Sequence, residues 1–190
     1  MVKDFTSALR PAIVMTILFA ALLGLVYPLA LAGVAGLVFP WQANGSLIEQ
    51  DGRIIGSAVV GQAFTSDRYF QTRPSAAGRG YDGLASAGSN LGPASRALAE
   101  RVAADVATRR AEGASGAIPA DLVTASGSGL DPDLSPQAAL AQVDRVARVR
   151  GLSAAGVRAL VDAAVERPWL GEPHVNVLAL NRALDAAGAR

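Results

Sequence analysis

The chain of 190 residues has no cysteine, one histidine, one lysine and, from Pro11 to Ile48, no charged side chain at all. Without cysteine there is neither a disulfide framework nor a thiolate nucleophile. One histidine, His174, excludes histidine-rich metal sites. The sole lysine, Lys3, lies far from any glycine-rich loop, so no G-x-x-x-x-G-K-[ST] phosphate loop exists, and there is no G-x-S-x-G nucleophile elbow. These absences argue against an independent ATPase or hydrolase. A formal net charge of +1 offers no basic field for nucleic acid, and Arg109, Arg110, Arg145, Arg148 and Arg150 fall on amphipathic helical patterns where a solvated face accounts for them.

What fills the charge-free run is apolar sequence, almost unbroken from Ala12 to Phe39. As a helix it is about 42 Å long, against a hydrocarbon core of about 30 Å. The rival is a cleaved signal peptide, with Lys3 and Arg10 as the basic start and Ala30-Leu31-Ala32 as the cleavage site. The apolar run continues past that site to Phe39, which favours a retained anchor. Phe39 and Trp41 suit an interfacial aromatic belt and Pro40 a helix stop. The expected division is a short N-terminus over 1–10, a transmembrane helix over 11–39 and a water-facing domain over 40–190. Lys3 and Arg10 precede the span, whereas Glu49 and Asp51 follow it, so the positive-inside rule places the N-terminus in the cytoplasm and the domain outside the inner (plasma) membrane. Within the span, Ala20 and Gly24, and again Ala32 and Gly36, are four apart, a spacing that allows close approach of a partner helix. Pro28 removes the hydrogen bond to the Gly24 carbonyl and is expected to kink the helix.

The remainder reads as one α+β domain without the strict strand-helix alternation of a doubly wound sheet. Asp51-Gly52 between Leu47-Ile48 and Ile54-Ile55 predicts a hairpin, which Ala58-Val59-Val60 extends. Phe64, Tyr69 and Phe70 are expected in the core. Residues 73–93 read as loop, with Pro93 opening a helix whose buried stripe is Leu98, Val102 and Val106. Ser135-Pro136 starts another, with Leu140, Val143 and Ala147 as its stripe and Gly151 as its stop. Ser153 caps a third, carrying Val157, Leu160, Val161 and Ala164 and ended by Pro168 and Pro173; Val175 and Val177 suggest a strand, and Leu180 and Leu184 a last helix.

Two features remain as candidate sites. His174, in Glu172-Pro173-His174-Val175, reads as a hydrogen-bonded structural histidine. The run Thr124-Ala125-Ser126-Gly127-Ser128-Gly129-Leu130-Asp131-Pro132 has two readings: an anion-binding nest of backbone N–H groups and hydroxyls, or a tight connection whose glycines supply positive φ. The chemistry of the residues favours the second.

The string from Asp121 through Pro132, with Ser135-Pro136, Gln142-Val143 and Arg145-Val146-Ala147, resembles the C subunits of bacterial Kdp potassium-transporting P-type ATPases. So do Pro40 to Leu47, Tyr69-Phe70 with Arg73-Pro74-Ser75, Gly88 to Pro93, and Gly171-Glu172-Pro173 with Val175 to Asn181. Asp133 stands where the family pattern leads one to expect histidine, and Ala141 and Asp144 where it leads one to expect tyrosine and proline. The resemblance implies a non-catalytic subunit of an ATP-driven potassium uptake complex, partnered by a channel-like potassium-translocating subunit, a P-type ATPase subunit and a small single-span subunit. It also implies a chaperone-like role in raising the pump's affinity for ATP, with Ser126, Gly127, Ser128, Gly129 and Gln142 as the nucleotide-side residues. That role conflicts with the charge bias, because ATP is cytoplasmic and the domain is expected outside. The alternative class is a self-contained, membrane-anchored extracytoplasmic binding protein.

Overall fold

The computed structural model describes residues 2–188, with side chains from Ser7 onward, so the Lys3 side chain that enters the orientation argument lies outside the described residues. The chain forms two compact units, Met1–Leu47 and Ile48–Arg190.

The first unit is helical. α1 (Val2–Ala21) passes through Pro11 without a break, a five-residue π-helical turn follows at Leu22–Val26, and α2 (Tyr27–Val38) completes the rod. Ser7–Val38 is a candidate membrane span of 32 residues with mean hydropathy 2.4 and none of it buried. The π turn has a cause. Pro28 has no N–H for the Gly24 carbonyl, and the preceding residue, Tyr27, bonds five back to the Leu22 carbonyl, so the ladder widens by one residue where the expected kink was placed. Phe39 leaves the helix at φ −131°, and the short helix α3 (Pro40–Ala43) follows. Trp41 Nε1–H donates to the Leu47 carbonyl at 2.9 Å. Nothing lies within 4 Å of an added Cβ at Gly24 or Gly36, so within this chain that face is open.

In the second unit β1 (Leu47–Gln50) and β2 (Arg53–Ser57) form the expected hairpin, with Asp51 (φ 52°) and Gly52 (φ 73°) both left-handed as a primed turn requires. Ala58-Val59-Val60 does not prolong it: the chain turns, and only a single bridge joins Ser57 to Val60. Residues 61–95 have no regular element. α4 (Arg96–Ala111) begins three residues later than expected, because Pro93 occupies a turn closed by Ser95 N–H to the Gly92 carbonyl (2.9 Å) and Ser95 becomes the N-cap. No residue of α4 is buried, and Leu98, Val102 and Val106 are half-buried, since a stripe one residue wide among so many arginines cannot seat the helix in a core.

The core is built on a three-stranded antiparallel sheet in the order β3-β5-β4, from β3 (Asp133–Leu134), β4 (Val165–Glu166) and β5 (His174–Asn176). Leu134 pairs with Val175, and Val165 with Val175. α5 (Pro136–Leu140) and α8 (Val177–Gly188) pack against it, α7 (Ala154–Ala163) packs on both of these helices, and α6 (Val143–Arg150) packs on α7. Phe70, Leu122, Leu134, Val143, Val146, Val157, Val161, Val175, Val177, Leu180 and Leu184 are buried together. Ser135 Oγ accepts from Ala138 N–H (3.2 Å), Ser153 Oγ from Gly156 N–H (3.1 Å), and Gly151 ends α6 at φ 68°. Three expectations fail locally. The Pro136 helix breaks at Ala141–Gln142 into α5 and α6. α7 ends at Ala163, before either proline, because Val165 is drawn into the sheet beside Val175. Val177 opens α8 rather than ending a strand. The class is α+β.

Candidate functional site

Gln142 sits at the break between α5 and α6, 3 % exposed. Its carboxamide closes a two-point clamp on the backbone of Gln71: Oε1 accepts the Gln71 N–H at 2.8 Å and Nε2 donates to the Gln71 carbonyl at 3.0 Å. Asn181, on α8, does the same for the preceding residue, accepting the Phe70 N–H and donating to its carbonyl, both at 2.9 Å. Arg145, 5 % exposed, donates to the carbonyls of Asp67 (2.7 Å) and Tyr69 (3.1 Å) and to Gln142 Oε1 (2.7 Å). Arg150 donates to the Arg68 carbonyl at 2.7 Å, stacks over the Tyr69 ring at 4.8 Å and pairs with Asp185 at 2.6 Å. Residues 67–71 thus run from a turn, closed by the Tyr69 N–H on the Ser66 carbonyl at 3.1 Å, into an irregular segment whose remaining backbone groups are held largely by side chains. Burial pushes the Arg145 guanidinium down from its ordinary value, and the nearby Glu112 carboxylate, 3.7 Å away, opposes that shift.

Arg145 also lines a cleft of about 220 Å³ with Arg109, Glu112, Gln142, Asp144 and Arg148. Much of its charge is internally engaged: Glu112 meets Arg109 at 3.0 Å, and Arg109 also donates to the Gln71 side chain. The Ser-Gly run lies elsewhere and is not brought to Gln142. Ser128 O accepts the Ala87 N–H (3.0 Å) and Ser86 Oγ–H (2.9 Å), Gly129 O accepts Ser75 Oγ–H (2.6 Å), and Leu130 N–H donates to Ser128 Oγ (3.1 Å). Ser126 and Gly129 are buried, whereas Gly127 and Ser128 are exposed. Arg73 pairs with Asp131 at 2.9 Å behind the run. The loop groups are committed to stitching residues 75–87 to the chain before β3. One motif was passed over by the sequence reading: Gly78-Arg79-Gly80-Tyr81-Asp82-Gly83 has G-x-G-x-x-G spacing, yet it lies in loop, without the strand before and helix after that a dinucleotide site needs. Asn181 was not singled out either, although a polar residue between Leu180 and Leu184 in an apolar stripe is the available signal for it; Arg145, expected on a solvated face, is instead buried, because its guanidinium reaches inward to the Asp67 and Tyr69 carbonyls.

His174 stands at the β4–β5 ladder opposite Glu166. Its Nδ1 is 3.0 Å from the Glu172 carbonyl, and Nε2 is 3.8 Å from Glu166 and 3.9 Å from Asp133. The hydrogen bond to Glu172, then the Asp133 and Glu166 carboxylates, raise its pKa above the ordinary 6.5 despite some desolvation. A raised folded-state value means stabilisation that is complete below about pH 6.5 and is lost as pH climbs through the folded value. Asp133, raised by burial, acts in the same direction at lower pH. The parent should therefore melt higher at pH 6 than at pH 9, and His174→Gln should narrow that difference. An equal pH dependence in both proteins would remove His174 as its source.

A single apolar helix long enough to cross a membrane, joined to a small α+β domain whose buried polar side chains clamp its own loops, defines a domain carried on a candidate membrane anchor. The family model described as "K+-transporting ATPase, c chain" matches residues 9–186. Among similar proteins, the potassium-transporting ATPase KdpC subunit of Caulobacter vibrioides (strain NA1000 / CB15N) is 58 % identical over 184 residues, covering 95 % of this chain and 93 % of its own. That of Rhodopseudomonas palustris (strain BisB5) is 54 % identical over 193 residues, with 94 % and 96 % covered, and that of Allorhizobium ampelinum 55 % over 187, with 96 % and 98 % covered. The chain belongs to the KdpC family.

Proposed function

We propose that this chain is the accessory subunit of an ATP-driven, high-affinity potassium uptake complex of the inner membrane, holding a channel-like subunit, a P-type ATPase subunit and a small single-span subunit in one assembly. Ser7–Val38 anchors it, with Ala20, Gly24, Ala32 and Gly36 as the helix-packing face and the domain outside the cytoplasm. Any effect on the pump's affinity for ATP is then transmitted through assembly, not through nucleotide held by Ser126–Gly129 or Gln142. The observation that carries this is the Gln142 carboxamide, whose oxygen and nitrogen are both engaged by the Gln71 backbone and whose oxygen also accepts from Arg145.

Gln142→Ala tests it in the purified complex. Lost buried hydrogen bonds, each worth about 0.5–1.5 kcal/mol, should lower the yield or melting temperature of the complex. The ATP concentration for half-maximal hydrolysis should stay where it is. Direct nucleotide contact would instead raise that concentration by about 2- to 13-fold in a complex of normal yield, and that result would overturn the reading.

A further inference from the structure

Among the described residues, four buried side-chain polar atoms have no hydrogen-bond partner: Arg101 Nε, Asp105 Oδ2 and Arg109 Nε on α4, and Arg73 Nε. Asp105, Arg109 and Arg73 line one cavity of about 250 Å³, together with Phe64, Thr72 and Tyr81, so the misfit lies where α4 meets the segment after Phe70. A charged group shielded from water and left without a partner destabilises the position that shields it. α4 has little to set against that. It runs for 16 residues with none buried, and its apolar seat is the half-buried row Leu98, Val102 and Val106.

The two ends of α4 are held differently. At the C-terminal turn Arg109 donates to the Gln71 side chain and meets Glu112 at 3.0 Å, Arg148 donates to the Glu112 carbonyl at 3.4 Å, and Glu112 lies 3.7 Å from Arg145. At the N-terminal end the ion pair of Arg96 with Glu100, at 2.6 Å, is internal to the helix. Before it, the chain is fixed as far as the Ala87 N–H on the Ser128 carbonyl, whereas the link over residues 89–95 is bonded to itself and to α4, by Ser95 N–H to the Gly92 carbonyl and Ala99 N–H to the Ser95 carbonyl. Seven residues can extend to about 23–25 Å, which is ample slack. We infer that α4 is a strap that lifts from the domain about its C-terminal turn, with Gly113, at φ +100°, as the hinge. Lowered, it is tied to Gln71 and, through Glu112, to Arg145. Lifted, it gives Arg101, Asp105 and Arg73 to water and opens the cavity over Phe64 and Tyr81. Water entering beneath a fixed helix does not serve instead, because the four atoms are out of its reach where they stand. Off the domain, a helix of this length is marginal in water, so its amides exchange each time it lifts.

Hydrogen–deuterium exchange of the full chain in detergent reads this motion. After correction for intrinsic rates, the amides of α4 should exchange at least about 100-fold faster than those of α7, which is seated by the buried Val157 and Val161. Asp105→Leu removes one stranded carboxylate and should slow exchange in α4 by about 5-fold or more relative to Thr108→Leu. Thr108 is exposed on the same helix, so its replacement carries a similar gain in helix propensity and nothing else. Exchange in α7 should be the same in all three proteins. Protection of α4 equal to that of α7 in the parent would overturn the inference, as would equal exchange in α4 of the two variants. A matching slowing of α7 in Asp105→Leu would show a gain spread over the whole domain and would overturn it too.

Discussion

Arg145→Ala should lower the stability of the domain by about 3–5 kcal/mol, a large share of the 5–15 kcal/mol typical of a folded domain. The guanidinium is 5 % exposed, and its removal strands the Asp67 and Tyr69 carbonyls, takes one partner from Gln142 Oε1 and leaves Glu112 without its second cation. Residues 67–71 have no sheet neighbour to take over those bonds, so the loss falls on the packing of Phe70 as well. Arg145→Lys should recover only part of the loss, because an ammonium cannot fork to several acceptors in fixed geometry. Thermal unfolding of the detergent-solubilised chain, followed by near-ultraviolet circular dichroism, should show a fall of roughly 10–15 °C for the alanine variant. A cost under about 1 kcal/mol would mean that the segment is held by apolar packing alone.

Gly129→Ala should cost about 2–4 kcal/mol. Gly129 lies at φ +68°, and a Cβ there would stand 2.6 Å from the Ala77 nitrogen and 2.7 Å from the Ala87 oxygen, both of them backbone atoms that cannot swing aside. Gly127→Ala is the matched control: no atom lies within 4 Å of the added Cβ and its φ is not left-handed, so its effect should stay within about 0.5 kcal/mol. The pair separates a stitch from a nest. A stitch requires a large effect at position 129 and almost none at 127. An anion-binding nest would be damaged wherever a side chain crowds the exposed N–H groups, with stability little changed in either variant. Melting temperatures of the two proteins decide the matter.

How far the sequence could be read depended on the range of the interactions involved. The long apolar helix was legible as a candidate span because a charge-free run is a one-dimensional property, and a bilayer imposes the same length on any helix that crosses it. The Asp51-Gly52 hairpin and the caps at Ser135, Ser153 and Gly151 were legible for a similar reason, each being fixed by atoms three or four residues apart. Family membership followed from many such short strings occurring in one order. The failures share the opposite property. α4 is amphipathic by spacing and still not buried, because burial needs a partner surface that spacing does not supply. The Pro136 helix breaks where the Gln142 carboxamide reaches a backbone 71 positions away in sequence.

By itself, then, the sequence determined the candidate membrane span, the α+β class, the local turns and the absence of thiol or phosphate-loop chemistry, all of which follow from composition and near-neighbour spacing. Only the tertiary structure decided that Gln142 and Asn181 clamp the Phe70-Gln71 backbone, that the Ser-Gly run is bonded to Ser75, Ser86 and Ala87, and that α4 stands clear of the core. An amide or a serine hydroxyl bonds as well to water, nucleotide or a distant backbone group. Its partner is chosen by the fold that brings one of these within about 3 Å.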